Sequence, residues 1–459
     1  MDKIQEATNF FLNGNSAEAE KTALSAYFEG GKTYEAADIL AAIFLRENKL
    51  ECINKIDKSY IPLIIEIAGI LFKLKMFEQS VFFHEILVKL MPSDISALNN
   101  LGLAYNEIEE TEKAKLSYEK SIRIKENFPA LYNLGVLFRK TKELQKSKVC
   151  LTKARNMNPD DCYINYSLGM TYLMEKDFAK GYPYFMKRPV NQPGAEKLKN
   201  FWDGTPHPDK TLFVFCEYGF GDAIQFSRYF PLLKERFREV KVLCKPQLRK
   251  LFAENYTNIE FVEDIHTAYD FCTYVMDLPY LLGIDFDNIP FADGYLKADE
   301  EKVKLYKEKY FNNSDKKIGI FFIGGELEKP TARYRAIPLA CLSGLFSIKN
   351  TKFYSFQKDD IFDELKDYPQ LINLGDKLCD FSDTAAMLKN LDLFVTVDSA
   401  PVHLAGALGV KTFLMLPYYS EWRWFSDEKN TPWYNSVELF RQTTPCEWLD
   451  VADNIYNKI

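Results

Sequence analysis

The chain has 459 residues, 47% of them apolar and 27% charged, with 58 Lys and Arg against 65 Asp and Glu for a formal net charge of -7. That length holds two or three domains, each able to bury a core, and the composition excludes disordered and fibrous classes. The mildly acidic balance argues against nucleic acid as a partner. The opening stretch MDKIQEATNFFLNG has no apolar signal-peptide core, and the apolar run 61–74 is interrupted by Glu66 and Lys73, too short and too charged for a membrane span. No two of the nine cysteines have C-x₂-C spacing, so a structural zinc site is not expected. The reading is a cytoplasmic protein with reduced thiols.

Residues 1–190 carry an internal repeat. Leu101-Gly102, Leu134-Gly135 and Leu168-Gly169 recur at spacings of 33 and 34. Tyr105, Phe138 and Tyr172 follow each glycine by three, Ala114, Ser147 and Gly181 by twelve, and Tyr118, Leu151 and Phe185 by sixteen. Small residues let paired helices approach, aromatics fill the gaps, and each pair must stack on the next to bury its apolar face. The pattern resembles the tetratricopeptide family and implies an all-α superhelix. Gly69, Phe72, Val81 and Glu85 make a weaker copy, and two more helical pairs are expected around Gly30-Gly31. These residues describe a scaffold. A face of this kind binds peptide or protein, self-associates, or packs on the neighbouring domain. His84 lies inside a repeat and reads as a packing or surface residue. Residues 191–210, with His207 between Pro206 and Pro208, punctuate the end of the helices as a linker.

Residues 211–300 read as a small α/β half. The run 211–216 suits a buried parallel strand. It leads into Glu217-Tyr218-Gly219-Phe220-Gly221-Asp222, where Gly219 and Gly221 allow a tight turn and first-turn amides can face an anionic group. The third glycine of the dinucleotide fingerprint is missing, which disfavours nicotinamide. Further strands are expected at 240–244, 259–262 and 269–276.

Residues 301–459 form a second α/β half, with strands at 316–323, 351–357, 371–374 and 393–397, a polar loop from Gly324 to Arg335, and a helix at 381–388. The most informative segment is Asp398-Ser399-Ala400-Pro401-Val402-His403, where a strand ends and a small-residue helix begins at once. Ser399 or Asp398 can cap that helix, with Pro401 in its first turn, and the free amides make a diphosphate-sized anion site. Asp398 and His403 are also readable, as the lesser alternative, as cap and core packing.

These blocks resemble the glycosyltransferase family that contains the lipopolysaccharide heptosyltransferases, in its branch fused to tetratricopeptide repeats. The resemblance rests on the Glu217 to Tyr229 block, on Arg333-Tyr334-Arg335 with Gln357-Lys358, and on a long block running from Asp380 through Asp398-Ser399, His403 and Glu421-Trp422-Arg423-Trp424 to Asp427 and Gln442. It implies a GT-B fold of two facing Rossmann-like halves, with the nucleotide sugar held mainly by the carboxy-terminal half and the acceptor by the amino-terminal half and the repeats. Asp222 takes the place of the general base. Gly219, Gly221, Arg335, Gln357, Asp398, Ser399, Ala400 and His403 fall at donor-side positions. The Glu421-Trp422-Arg423-Trp424 block, with Trp422 and Arg423 on the donor side, belongs to a wall of the donor pocket or to a tryptophan-anchored packing motif. The expected reaction is an inverting displacement in which a carboxylate deprotonates the acceptor hydroxyl while amides and a cation hold the departing diphosphate. No D-x-D motif follows a first-half strand, so a metal-independent transferase is expected, with no tightly bound cofactor. The acceptor is expected to be a protein recruited by the repeats, such as a flagellin or surface protein. Homo-oligomerisation through the repeats, a lipopolysaccharide or polysaccharide precursor as acceptor, and an inactive repeat adaptor are the alternatives. The chain departs from the family in its shorter first half and in Phe322-Ile323-Gly324-Gly325-Glu326, where relatives carry tryptophan, glycine and asparagine.

Overall fold

Helices too short to be stable alone are stabilised here by stacking. The computed structural model describes residues 2–30, 33–50, 57–324, 335–358, 365–426 and 428–459. It begins with α1 (Lys3–Leu12), α2 (Ser16–Gly30) and α3 (Thr33–Glu47), three described helices where two pairs were expected. Then come α4 (Ile61–Lys73), α5 (Phe77–Leu90), α6 (Ile95–Glu107), α7 (Thr111–Ile124), α8 (Phe128–Lys140), α9 (Leu144–Met157), α10 (Cys162–Met174) and α11 (Phe178–Phe185). Asp94 and Asn127 accept from Ala97 N at 2.7 Å and Ala130 N at 3.0 Å, capping α6 and α8 as short polar side chains do.

The internal repeat holds, with one correction. Ser147 Oγ donates to the Gly135 carbonyl at 2.8 Å, and its counterpart is Ser80 Oγ donating to the Ala68 carbonyl at 3.0 Å. Left-handed residues close the first helix of each pair at Lys75, Glu109, Lys142 and Lys176, and they keep the same register. The copy therefore runs through Ala68, Leu71, Ser80 and His84, all buried, and not through Gly69, Phe72, Val81 and Glu85. Alanine does the work of the glycine, which hid the one-residue offset. His84 stands where Tyr118 and Leu151 stand, and it is a packing residue as expected.

The chain divides into two compact units, Met1–Ser167 and Leu168–Ile459. Most of α10, and α11, belong to the second unit, earlier than the expected boundary near residue 190. Phe178 stacks on Trp433 at 6.1 Å, and Phe185 meets Trp422 edge-on at 5.7 Å.

The second unit holds two sheets. The first is parallel, in the order β3-β2-β1-β4, from β1 (His207–Phe215), β2 (Phe237–Leu243), β3 (Glu260–Val262) and β4 (Phe271–Tyr274). His207, read as a linker residue, opens β1. Between its strands lie α12 (Phe220–Phe226), α13 (Phe230–Leu233) and α14 (Pro246–Asn255), and after it α15 (Leu278–Leu281) and α16 (Glu300–Tyr310). The second has the order β10-β11-β9-β8-β5-β6-β7, from β5 (Lys316–Phe321), β6 (Thr351–Ser355), β7 (Leu371–Asn373), β8 (Leu393–Val397), β9 (Thr412–Leu416), β10 (Asn430–Thr431) and β11 (Tyr434–Arg441). Only the β10–β11 pair is antiparallel. Helices α17 (Phe381–Leu388), α18 (Ala400–Ala407) and α19 (Leu449–Tyr456) complete it. Near-continuous apolar strands such as Leu393–Val397, buried throughout, are what a sheet covered on both faces requires.

Candidate active site

In each sheet the strand order reverses beside one strand: β1 lies between β2 and β4, and β5 between β6 and β8. Crevices at the carboxyl ends of such strands are where open α/β sheets bind ligands. Glu217 to Asp222 follow β1, Phe322 to Gly324 follow β5, and Asp398 to His403 follow β8.

The two crevices meet because Gly221 lets α12 pass close to the start of α18. A Cβ on Gly221 would stand 2.8 Å from His403 Cδ2 and 3.4 Å from Ala400 Cα, so only glycine permits the approach. Gly219 precedes α12, and its N–H donates to Asp222 Oδ2 at 2.9 Å. The other oxygen of Asp222 is paired with Arg423. Arg423 reaches Glu421 at 3.5 Å, Glu421 accepts from Arg335 at 3.2 Å, and Arg335 Nε lies 3.8 Å from Asp398. Five charges of alternating sign, Asp222, Arg423, Glu421, Arg335 and Asp398, thus run from one crevice to the other. Asp398 first, then Glu421, hold Arg335 firmly protonated.

His403 is buried on α18. It stacks on Trp424 at 5.4 Å and shares its Nδ1 with the Tyr434 hydroxyl at 3.0 Å. Burial, and then the Arg423 charge, push its pKa down to about 3, so the imidazole is neutral at ordinary pH. Ser399 is the residue before α18, yet its hydroxyl donates to the Val397 carbonyl at 3.1 Å and makes no cap. Of the two expected caps, Ser399 and Asp398, Ser399 occupies the N-cap position without a side-chain cap, and Pro401 takes its expected place in the first turn.

Two expected residues are committed elsewhere. Gln357 accepts from Phe322 N at 3.3 Å and Ile323 N at 3.0 Å and donates to the Ile323 carbonyl at 3.2 Å, pinning the backbone beyond β5. Trp422 is buried against Phe178, Phe185 and Trp433 as a packing anchor. Arg333, Tyr334, Gly325, Glu326 and Asp427 lie outside the described residues, as does Gly31.

Glu421 was expected only as part of the Glu421 to Trp424 block and Tyr434 was given no role, and sequence did not bring together the buried trio of Arg188, Glu217 and Asp277. Arg188 pairs with Glu217 and, at 2.5 Å, with Asp277, and Glu217 accepts from Val275 N at 3.0 Å. Burial raises the Glu217 carboxyl to about 7. The position of Glu217 two residues before Gly219, just past the end of β1, was the signal available. Among the described residues no group of three or more His, Cys, Asp or Glu is placed to hold a metal ion, and no helix is long and apolar enough to cross a membrane. The eight described cysteines are free thiols.

The tetratricopeptide repeat model matches residues 95–128 and 128–161. Protein FlbA of Caulobacter vibrioides is 22% identical over 267 residues. That alignment covers 52% of this chain and 44% of FlbA, so the chain spans less than half of the length of the curated relative it matches. A glycosyl transferase family 9 structure from Veillonella parvula is 13% identical, with 55% of this chain and 97% of that one covered at a TM-score of 0.42. YrrB, a TPR protein with an unusual peptide-binding site, is 24% identical, with 29% and 70% covered at a TM-score of 0.26. By helix register, strand order and the repeat match, the chain is a helical array with tetratricopeptide repeats at residues 95–161, followed by two α/β sheets, the first parallel and the second parallel but for the β10–β11 pair.

Proposed function

We propose that residues 168–459 bind a nucleotide-activated sugar and transfer the sugar to an acceptor hydroxyl with inversion. The supporting observation is the run of alternating charges joining two topological switch points beside the first turn of α18. Arg335 and Arg423 are the cations for a departing diphosphate, with the first-turn amides of α18 as donors. Asp222 is the base. Its carboxylate is paired with Arg423, so a diphosphate that draws Arg423 away frees Asp222 for the acceptor proton. The sugar, the base and a protein acceptor brought by the repeats, such as a flagellin or surface protein, belong to this reading, as does transfer without a metal. Calorimetry against a panel of nucleoside diphosphates tests it. Arg335→Ala loses nucleotide binding. Asp222→Asn keeps binding and loses donor turnover by about 10²–10⁴-fold, the usual worth of general base catalysis. If no nucleotide in a broad panel binds, the transferase reading falls.

A second reading is a repeat adaptor whose transferase-like unit is inactive. Two observations favour it. Both Asp222 oxygens are engaged, by Gly219 N–H and by Arg423, as a cross-link between the halves. Tetratricopeptide repeats are also matched by a family model. The comparisons back this reading better than they back protein glycosylation. Cellular glycoconjugates unchanged by Asp222→Asn, with a phenotype on deleting the repeats, establish the adaptor. A glycoprotein lost in both strains establishes the transferase, and a lost polysaccharide moves the acceptor to that class.

A further inference from the structure

We propose that Glu421 is a built-in competitor of the donor's diphosphate, a carboxylate that fills the anion site until a nucleotide displaces it. The inference deepens the transferase reading and rests on it. Glu421 stands between Arg335 and Arg423 and gives one oxygen to each. Its Oε1 accepts from Arg335 Nη2 at 3.2 Å, and its Oε2 accepts from Arg423 Nη1 at 3.5 Å. Guanidinium groups bind carboxylate and phosphoryl oxygens in the same way, so this bridge is one that a phosphoryl group can replace. The two cations oppose each other: Asp398 first, then Glu421, keep Arg335 protonated against the charge of Arg423. They need an anion between them, and the chain supplies its own.

Charge and freedom of movement single out Glu421. Asp222, Glu421 and Asp398 against Arg335 and Arg423 leave the run with one formal negative charge. A diphosphate is repelled by that balance unless a carboxylate gives way. Asp222 is tied to Gly219 N–H at 2.9 Å, and the Asp398 side chain is only 8% exposed. The Glu421 side chain is 31% exposed, and among the described residues its carboxylate is bonded to the two arginines and to no other donor. The buried rings of Trp422 and Trp424 fix the backbone that follows it, so the carboxylate leaves by rotation of its own side chain. A diphosphate seated on both guanidiniums takes Arg423 from Glu421 and Asp222 together. Donor binding and release of the base thereby become one event, and the ejection of Glu421 lowers the affinity of the site for any anion.

The test is calorimetry of inorganic pyrophosphate on the full chain, as wild type, Glu421→Gln, Glu421→Ala and Glu438→Gln. Glu438, on β11 and paired with Lys458 at 3.0 Å, controls for the loss of one negative charge. Expected is binding at least tenfold tighter in both Glu421 variants, with Glu438→Gln like wild type. A residue that merely ordered the two arginines would weaken binding when removed. Unchanged or weaker binding in either Glu421 variant therefore overturns the inference, as does equal tightening in Glu438→Gln. In those cases pyrophosphate still binds and the anion site stands. If pyrophosphate binds none of the four proteins, there is no anion site for Glu421 to fill and the inference falls. The transferase reading is then decided separately, by the nucleoside diphosphate panel.

Discussion

At the residue scale, the glycines of one repeat family have opposite consequences. Gly102 packs against the Tyr118 ring, and a methyl there would meet three ring atoms at 2.5–2.9 Å. Gly102→Ala gains about 1 kcal/mol of helix propensity, yet overpacking of this kind costs about 1–3 kcal/mol. With the ring buried and fixed, the variant is expected to be less stable. Gly69→Ala meets open space and keeps only the gain, about 0.5–1 kcal/mol. Urea unfolding of the two variants followed by circular dichroism should show midpoints moving in opposite directions, and a shared sign would refute the assignment of Ala68 to the repeat register. His84 adds a pH dependence. Its folded pKa is pushed down to about 4 from 6.5 by burial. The unfolded chain therefore binds the proton more readily, and stability is lost as pH falls from 6.5 towards 4. In His84→Leu that loss should disappear from the first unit's unfolding curve.

At the scale of elements, the buried trio fastens the end of β1 to the segment after β4. Arg188 bridges Glu217 and Asp277, and Glu217 also takes the amides of Val275 and Met276. Two carboxyls around one guanidinium leave an uncompensated negative charge, and burial raises Glu217 from 4.5 to about 7. Between those values the folded state keeps a proton that the unfolded chain has released. Stability therefore falls as pH rises from 4.5 to about 7. Glu217→Gln should flatten that part of the profile, and Arg188→Met should cost about 3–5 kcal/mol by leaving two carboxyls unpartnered. Tryptophan fluorescence during denaturant unfolding at several pH values measures both, and an unchanged slope in Glu217→Gln would exclude the trio as its source. Local pattern made much of the fold legible. The run Leu393–Val397 and the helix Phe381–Leu388 lie where apolar periodicity puts them, and the glycine pair at 219 and 221 marks a true strand-to-helix turn. What the pattern hid is long-range. Arg423 meets Asp222 across 201 residues, and Arg335 meets Glu421 across 86. Nothing in spacing reveals such pairs. Gln357 was legible as a polar residue after a strand, yet not as one whose amide is spent on the backbone of Phe322 and Ile323.

At the scale of the whole molecule, the two units are stabilised by different kinds of contact. Met1–Ser167 is a stack in which each helical pair buries its apolar face on the next, and its stability sums over neighbouring interfaces. Leu168–Ile459 depends on two sheets whose strands pair across long stretches of chain, β5 with β8 and β8 with β9 among them. Units built on such different contacts are expected to unfold in separate steps, so a single two-state transition is not expected. The sequence supplies a probe for each. All five tryptophans, Trp202, Trp422, Trp424, Trp433 and Trp448, lie in the second unit, and Trp422, Trp424 and Trp433 are fully buried there. Fluorescence excited at the indole band reports the second unit alone, while far-ultraviolet circular dichroism is weighted towards the helices of both. Equilibrium unfolding in guanidinium should give one fluorescence transition and a dichroism curve with two. The fluorescence transition should carry the steeper slope, because the longer unit exposes more surface on unfolding. Adding the nucleoside diphosphate that binds should move the fluorescence midpoint upward in proportion to the logarithm of its concentration and leave the other dichroism step in place. Superimposable curves from the two probes, with or without nucleotide, would mean that the units fold as one and that the repeats are part of the transferase core.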